Sequence, residues 1–308
     1  MNIMKILVLG NSNLFQKKVY PGLKKIKNID IEIASKRKVE KNFKIKKSYN
    51  SYNKAINKTT AKIVYISLIN SMHFYWALKS LKKNKHVIID KPFTINYDQT
   101  QKLIELASLK NLFLSEAIVF HKHKRFIKLF SKIDFKKPIR VISKFHIPRL
   151  NYKNFRNFNK YGGGCFNDMS AYASYLIYLL FKKNNYLITS KRKKDKKKAI
   201  DYFKIQAKSK DVKLDASFMF NSSYKNEMTI YNKYKKYSID LVFSPPIDKL
   251  LHLEVSKNNT KKIYKEYFKN QNIFYTYFKD IFKIIRQNKY NHFYKEIETI
   301  AKITKKIS

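Results

Sequence analysis

The first 117 residues alternate short apolar segments with longer stretches of helical periodicity, and this alternation constrains the fold more than any other feature. Apolar runs such as Lys5–Leu9 and Lys62–Ser67 have the length of buried strands. Helical patterns such as Ser71–Lys82 and Asn96–Leu109 follow them. Strands that alternate with helices pair in parallel through right-handed crossovers. The pattern therefore predicts a doubly wound parallel sheet over residues 1–117. The remaining elements expected there are a helix at Asn13–Ile26 and strands at Ile29–Ala34, Val87–Ile89 and Leu112–Leu114.

The pattern changes in residues 118–308, which we interpret as a second domain. Short alternating segments between residues 200 and 263 are typical of a largely antiparallel sheet. The charged segment Lys182–Lys198 is expected to be a solvated loop. The other elements expected in this domain are a strand at Ile139–His146 and helices at His123–Ser131, Cys165–Phe181, Asn270–Arg286 and His292–Ile307.

The chain is strongly basic, with 67 Lys and Arg against 21 Asp and Glu and a formal net charge of +46. Such a field attracts polyanions. Only seven of the basic residues are arginine, however, and Arg is the usual reader of bases and phosphates. Lys, Asn, Ile, Tyr and Phe are abundant together, a bias that AT-rich codons produce without selection for function. We therefore expect no nucleic-acid partner. A basic nucleic-acid-binding protein is the alternative interpretation of this charge.

Other features of the composition favour a cytoplasmic protein. Hydrophobic residues make up 44% of the chain, which argues against a disordered state. No apolar run reaches the roughly 20 residues of a membrane helix, so no membrane partner is expected. The single cysteine, Cys165, excludes an intrachain disulfide and fits a reducing compartment. The apolar run at the N-terminus is too short for a signal peptide.

A glycine ends the first predicted strand, in the sequence VLGNSNLF. Dinucleotide-binding turns at this place use glycines for a tight turn and for the approach of a pyrophosphate to the helix N-terminus. Only Gly10 is present, while Ser12 and Phe15 replace the second and third glycines. We expect Gly10 and Ser12, with Asn13 and Leu14 at the start of the helix, to contact a cofactor, Ser12 through its backbone N–H and its hydroxyl.

The end of the second strand indicates which dinucleotide binds. A carboxylate there would hold the ribose hydroxyls of NAD. The chain instead continues as Ser35-Lys36-Arg37-Lys38, in which a hydroxyl and cations suit a 2′-phosphate. These residues favour NADP(H), with NAD(H) still possible, because a basic turn is also common in a basic protein.

Two further motifs carry side chains suited to acid–base chemistry. The sequence Asp90-Lys91-Pro92 lies at the end of a strand, where ligands of open α/β sheets bind. Partial burial and a nearby positive charge lower the pKa of a lysine, which would make Lys91 a competent acid or base.

The second motif is the glycine run 162–164, which holds three of the five glycines and precedes a helix. Such clustering indicates a backbone requirement. Asp168 and Tyr172 lie four residues apart in that helix and therefore on one face. The alternative is a carboxylate that favours the helix dipole and a core tyrosine.

Taken together these motifs resemble the Gfo/Idh/MocA oxidoreductase family over most of the chain. The resemblance is densest in N-x-x-H (Asn70, His73), K-H-V-x-x-D-K-P (Lys85 to Pro92) and F-R…G-G-G-x-x-x-D-x-x-x-Y (Phe155 to Tyr172). Asp90 replaces the Glu of the usual E-K-P, and Ser170 replaces a common glycine. With a tyrosine at position 172, the chain resembles the dihydrodiol dehydrogenase and glucose-fructose oxidoreductase branch of the family.

The resemblance implies an N-terminal Rossmann domain that binds NAD(P), and a C-terminal α/β domain whose large open sheet forms a dimer or tetramer. It implies that Lys91, Asp168 and Tyr172 are catalytic. Cofactor contacts are expected from the residues that end the third strand and flank the motifs, namely Ser67, Asn70, His73, Asp90, Lys91 and Arg156. Glu116 and His123 are expected to touch substrate, and His121 and Lys122 are weaker candidates.

The sequence therefore predicts an oxidoreductase that transfers a hydride between NADP(H) and a hydroxyl or carbonyl carbon of a sugar, nucleotide-sugar or related polyol. Surface-polysaccharide biosynthesis is the context by analogy. The alternative of a non-catalytic dinucleotide- or sugar-binding regulatory protein stays open. No zinc-ligand spacing or helix-turn-helix signature is present, and no metal is expected.

Overall fold

The computed structural model describes residues 3–181, 185–192, 201–258, 260 and 262–308. Contacts divide the chain into two compact units. One unit contains the chain up to Ala117 together with Asn272–Ala301, and the other contains Ile118–Gln271 and Lys302–Ser308. Residues 118–308 were all expected in the second domain, whereas most of the two last helices packs within the first unit.

The first unit is built on a six-stranded sheet in which every strand pair is parallel. Its strands are β1 (Met4–Leu9), β2 (Ile29–Ala34), β3 (Lys47–Tyr49), β4 (Ile63–Ile66), β5 (His86–Ile89) and β6 (Leu114–Glu116). Their order is β3-β2-β1-β4-β5-β6, so the winding direction reverses between β1 and β4. Ligands of doubly wound sheets bind at the carboxyl ends of the strands beside this reversal. The prediction of a Rossmann-type sheet is confirmed.

The sheet strands are apolar because helices cover both faces. All four residues of β4 are fully buried, as are the last four of β1. The helices of this unit are α1 (Tyr20–Leu23), α2 (Tyr52–Lys58), α3 (His73–Lys82) and α4 (Tyr97–Leu109), and later in the chain α7 (Ile273–Gln287) and the first part of α8 (Asn291–Ile307). The two remaining α-helices, α5 (Lys124–Ser131) and α6 (Cys165–Phe181), belong to the second unit.

The first helical segment differs from a regular helix. Residues Phe15–Val19 are π-helical and lead into α1. Phe15 is fully buried and contacts the rings of Tyr20 and Phe43. The wider winding therefore coincides with the bulky side chain that stands where dinucleotide-binding turns have a small residue.

The second unit contains an eight-stranded sheet of order β14-β13-β12-β11-β7-β10-β9-β8. Its strands are β7 (Ile139–His146), β8 (Leu187–Arg192), β9 (Tyr202–Lys208), β10 (Val212–Met219), β11 (Lys225–Tyr231), β12 (Lys235–Asp240), β13 (Leu251–Lys257) and β14 (Ile263–Phe268). Among the described strand pairs of this sheet, β7–β10 is the parallel one and the others are antiparallel. Helix α6 packs on β9 and β10. The predicted, mostly antiparallel sheet is confirmed.

Three local expectations differ from the structure. The elements β3 and α2 were not predicted, because β3 has three residues, two of them exposed, and shows no alternation. The fifth predicted strand lies two residues later, as β6. Part of the expected loop Lys182–Lys198 is the edge strand β8, where pairing with β9 outweighs the charge. Residues 182–184 and 193–198 of that segment lie outside the described residues. Among the described residues, no helix combines the length and apolarity needed to cross a bilayer.

Helix α8 is tied to the first unit through a buried tyrosine. The hydroxyl of Tyr294 lies within hydrogen-bonding distance of two carbonyl oxygens, that of Ala107 in the last turn of α4 and that of Leu112 shortly after it. The Tyr294→Phe variant leaves both carbonyls without this donor, and we expect it to lower the free energy of unfolding by about 1–2 kcal/mol in chemical denaturation. The Tyr264→Phe control removes an exposed hydroxyl and should change nothing. Equal stability of both variants would contradict the assignment.

Candidate functional site

The turn after β1 depends on Gly10. Its φ is +102°, and a Cβ built at this position would overlap the carbonyl oxygen of Ser67. The backbone is also fixed on both sides, because Gly10 N–H donates to Ala34 O and Ser67 N–H donates to Leu9 O, each at 2.8 Å. No side chain fits here, so the strand-to-helix turn is available only to glycine.

A chain of hydroxyl groups links the ends of three strands. Asp90, at the end of β5, is buried and accepts hydrogen bonds from Ser67 Oγ and Tyr65 OH, each at 3.0 Å. Ser67 Oγ lies 2.7 Å from Ser12 Oγ, which accepts the N–H of Phe15 at 3.0 Å. Since an ionised carboxylate only accepts, Ser67 donates to Asp90 and Ser12 donates to Ser67.

The same chain of bonds limits what Ser12 offers to a ligand. Both its N–H and its hydroxyl were expected to face a cofactor. The hydroxyl is instead engaged by Ser67 and by the N–H of Phe15, so it caps the following helical segment. Asn13 is exposed and Leu14 is half-buried at the start of that segment, where free N–H groups favour an anion.

Asn11 is a residue that the sequence analysis missed. Its Nδ2 donates to Lys38 O at 2.8 Å and so ties the segment after β2 to the glycine turn. Its Oδ1 is buried and has no hydrogen-bond partner among the described residues. A buried acceptor left without a donor is uncommon and calls for a missing partner such as a water or ligand group. No motif marks this residue, and only its place between Gly10 and Ser12 could have drawn attention to it.

An open groove of about 720 Å³ lies beside the end of β2. Ser35 and Arg37 line it together with cations from β3 and α2, namely Lys47, Lys54 and Lys58. Ser35 Oγ accepts the N–H of Arg37 at 2.9 Å, which fixes the turn. Lys36 is exposed. The described residues that line the groove include no carboxylate. The three lysines escaped sequence analysis because β3 and α2 were not predicted.

His73 contacts the backbone of the Lys91-Pro92 turn. The fully buried ring places Nδ1 at 2.7 Å from Pro92 O and Nε2 at 3.1 Å from Leu68 O. Burial lowers the pKa of His73, so the neutral ring has one N–H, which we assign to the shorter contact with Pro92 O. Both ring nitrogens face the backbone. The residue predicted beside the nicotinamide therefore positions the turn, while Asn70 is buried in the 3₁₀ turn before α3.

Glu116 binds the N–H of the same peptide group whose carbonyl faces His73. Its Oε1 accepts the N–H of Phe93 at 2.8 Å, and Lys91, which precedes this peptide, is half-buried. Burial raises the pKa of Glu116 to about 7, and the Phe93 N–H and the charge of Lys91 oppose this rise. Glu116 was expected to touch substrate, but the contact described by the structure is with the backbone beside Lys91.

In the second unit, Arg156 and Asp168 form an ion pair. Arg156 Nε donates to Asp168 Oδ1 at 2.8 Å, and the Asp168 side chain is only 8% exposed. The glycine run makes this possible. A Cβ at Gly163 would lie 2.6–2.7 Å from the carbonyl oxygens of Phe155, Arg156 and Phe158. The closely packed turn therefore requires glycine, as the clustering predicted.

Tyr172 follows Asp168 by one helical turn and is half-buried. Its ring lies 5.3 Å from the rings of Phe145 and Phe243 and 6.1 Å from that of Phe120. These rings hold the phenol in a defined position beside the ion pair. The prediction that Lys91 converges on Asp168 and Tyr172 joins residues of different units and stays a prediction.

The two histidines before α5 have structural contacts. His123 Nδ1 accepts the N–H of Arg125 at 3.1 Å and caps α5, and burial lowers the pKa of His123 to about 4. His121 stacks on Tyr175 with ring centroids 4.6 Å apart, and burial lowers its pKa to about 3. Lys122 accepts a hydrogen bond from Gln271 at its carbonyl oxygen. Among the described residues, no group of His, Cys, Asp and Glu is arranged to hold a metal ion.

The raised pKa of Glu116 predicts a pH effect on stability. Between pH 4.5 and about 7 the folded chain holds a proton that the unfolded chain releases, so stability falls as pH rises. The Glu116→Gln variant cannot titrate. Its free energy of unfolding relative to the parent protein should therefore rise between pH 5 and pH 8 in denaturation experiments. The Glu105→Gln control alters an exposed side chain of α4 and should show no such trend. A constant difference for Glu116→Gln would contradict the buried state.

Comparison with known proteins adds evidence at two levels. Residues 5–117 match the model of the Gfo/Idh/MocA oxidoreductase family, described as an NAD-binding Rossmann fold. The full chain superimposes on a 3-ketoreductase from Actinomadura kijaniata, solved in complex with NADP and TDP-benzene, with a TM-score of 0.90, 16% identity and coverage of 99% of this chain and 97% of the other. This likeness shows the fold of both units.

Curated relatives match shorter parts of the chain. An uncharacterized oxidoreductase of Rhizobium meliloti is 23% identical over 56% of this chain and 54% of its own length. A dTDP-3,4-didehydro-2,6-dideoxy-alpha-D-glucose 3-reductase of Saccharopolyspora spinosa is 31% identical over 39% of this chain and 37% of its own length. The chain thus spans about half or less of the length of these relatives. The glycine turn and the Asp-Lys-Pro turn agree with the family match, and residues 5–117 are similar to the NAD-binding Rossmann domain of the Gfo/Idh/MocA oxidoreductase family.

Proposed function

We propose that the protein is an NADP(H)-dependent oxidoreductase that transfers a hydride between the cofactor and a hydroxyl or carbonyl carbon of a sugar or nucleotide-sugar. The observation that carries this proposal is the support around Lys91. Asp90 is fixed by buried hydroxyls, while His73 and Glu116 hold the carbonyl and the N–H of the Pro92–Phe93 peptide, directly after Lys91. A surface lysine in a basic chain would need none of these supports, whereas an acid–base group needs a fixed position.

The turn after β1 has the features that a dinucleotide requires. Gly10 leaves no side chain between the strand end and a ligand, and the N-terminus of a helical segment lies directly beyond it. Asn11 Oδ1 supplies an acceptor that lacks a donor. These observations fit the binding of a pyrophosphate at Gly10, Ser12, Asn13 and Leu14, with Ser67 and Asn70 at the neighbouring strand end.

The groove beside β2 supports NADP(H) over NAD(H). The cations Arg37, Lys47 and Lys54 suit a 2′-phosphate, and Ser35 adds a hydroxyl that fixes the turn. Two relatives also support NADP(H): curated D-xylose 1-dehydrogenases that use NADP(+) match this chain over 23% and 38% of its length.

The roles of the catalytic groups follow from their chemistry. When bound, the nicotinamide supplies the centre that accepts or donates the hydride. Lys91 Nζ or the Tyr172 hydroxyl exchanges the proton of the substrate hydroxyl, and Asp168, held by Arg156, orients the other group. Proton transfer by a positioned side chain contributes about 10²–10⁴-fold to the rate.

The first prediction from the proposed function concerns the cofactor. Titration by fluorescence should show tighter binding of NADPH than of NADH, and Arg37→Ala should weaken NADPH binding about tenfold while leaving NADH binding nearly unchanged. Arg286→Ala, which removes an exposed arginine of α7, controls for the loss of one charge. Equal weakening by the two variants would mean that the effect is only the general field of the basic chain.

The second prediction concerns catalysis. A panel of nucleotide-sugars and free sugars, followed at the absorbance band of NADPH, should reveal a substrate. Lys91→Met should then lower kcat by about 100-fold or more and leave the Kd of NADPH within a factor of three. Lys102→Ala, at an exposed position of α4, is the control and should retain full activity. Equal turnover by Lys91→Met and the parent protein would exclude the role of this lysine.

A further inference from the structure

The loop before the glycine run carries a pattern that the proposed reaction does not use. In residues 151–161, hereafter the aromatic loop, an aromatic residue recurs at every third position: Tyr152, Phe155, Phe158 and Tyr161. Cations stand between them at Lys153, Arg156 and Lys160. No Asp or Glu occurs between Ile147 and Asn167. The loop therefore combines π-faces with positive charge and lacks compensating carboxylates of its own.

The backbone of the aromatic loop is fixed before any ligand binds. Asn151 Oδ1 accepts the N–H of Lys153 at 2.9 Å, and Asn154 Oδ1 accepts the N–H of Arg156 at 3.1 Å. Asn157 Nδ2 donates to Asn151 O at 2.9 Å. Two 3₁₀ turns, Phe155–Asn157 and Asn159–Tyr161, complete the loop. A loop ordered in this way binds a ligand without paying for its own ordering.

Three of the four rings remain exposed on this ordered backbone. Tyr152 is 72% exposed, Phe158 is 40% exposed and Tyr161 is 36% exposed. The Lys153 ammonium lies 5.4 Å from the Tyr152 ring, and the Lys160 ammonium lies 5.1 Å from the Tyr161 ring. Each of these two exposed tyrosines thus has a lysine ammonium close to its own ring. The rings are separate from the aromatic contacts that surround Tyr172.

The aromatic loop is joined directly to the candidate catalytic residues of its own unit. The Arg156–Asp168 ion pair connects the loop to the first turn of α6. Gly164 N–H donates to Arg156 O at 2.7 Å, and Gly163 N–H donates to Phe158 O at 3.1 Å. A ligand on the aromatic loop would consequently lie next to Asp168 and, one helical turn further, Tyr172.

We propose that the aromatic loop binds the nucleoside diphosphate part of a nucleotide-sugar substrate, an inference that rests on the proposed function. The base stacks on an exposed ring, Tyr152 or Phe158, and the diphosphate is held by Lys153 and Lys160. Aromatic stacking suits any base, and ammonium groups neutralise phosphates as point charges. A free neutral sugar would gain nothing from the cations, so the loop favours a nucleotide-sugar over a free sugar.

The test measures binding of dTDP, UDP, thymidine and inorganic pyrophosphate to the full chain with NADPH present, by isothermal titration calorimetry. The parent protein should bind dTDP or UDP more tightly than pyrophosphate or thymidine. Tyr152→Ala and Phe158→Ala should raise the Kd of the nucleoside diphosphate by about tenfold for the ring on which the base stacks. Binding of pyrophosphate should stay unchanged, because these variants keep both lysines.

A matched control lies elsewhere in the same unit. Tyr234 is 67% exposed and has the Lys233 ammonium 5.4 Å from its ring, the same pairing as in Tyr152 and Lys153. Tyr234→Ala should leave dTDP binding within a factor of two. In assays with a nucleotide-sugar, the loop variant that weakens dTDP binding should also raise KM and keep kcat, since stacking of the base is remote from the reacting carbon.

Three results would overturn the inference. One is unchanged nucleoside diphosphate binding in both loop variants. Another is turnover of a free sugar that dTDP and UDP fail to inhibit. The third is tight binding of a single-stranded oligonucleotide with no binding of dTDP or UDP, which would assign the loop to nucleic acid. In each case, NADPH binding and Lys91-dependent turnover report separately on the proposed function, so its failure is distinguishable from failure of the loop assignment.

Discussion

The buried carboxylate of Asp90 is the interaction on which the candidate site of the first unit depends. A carboxylate withdrawn from water must be hydrogen-bonded, and Ser67 and Tyr65 provide the donors from β4 and the residue after it. The bond from Ser12 to Ser67 extends this requirement to the turn after β1. One buried charge therefore fixes the carboxyl ends of three neighbouring strands at the reversal of the sheet. The next residue along the chain is Lys91, whose position follows from that of Asp90.

The same interaction explains how a chain with few glycines keeps a dinucleotide-binding turn. Within this turn, Gly10 stands where a Cβ is sterically excluded. Ser12, in place of a second glycine, engages its hydroxyl with Ser67 and with the N–H of Phe15. Phe15, in place of the third, is accommodated by a π-helical segment and by the rings of Tyr20 and Phe43. The turn thereby keeps its geometry with different side chains.

Sequence reasoning predicted the elements whose periodicity is strong and missed those whose stability comes from pairing. Ile139–His146 and Cys165–Phe181 have the predicted bounds because burial alternates along the one and extends along most of the other. Leu187–Arg192 was assigned to a loop because its charge hides an edge strand. Within the site, glycines and the Asp-Lys-Pro motif are visible in the sequence. The hydrogen bond that Glu116 accepts from the N–H of Phe93 depends on a distance between segments that no spacing records.

The central claim is that Lys91 works beside the nicotinamide together with Asp168 and Tyr172. A crystal structure of the protein with NADP+ and a nucleoside diphosphate tests it most directly. The account predicts that Lys91 Nζ and the Tyr172 hydroxyl both lie near the exposed face of the nicotinamide, within about 3 Å of a common substrate oxygen or bridging water. A Lys91 side chain that points into bulk solvent, far from Asp168 and Tyr172 in the closed complex, would contradict it.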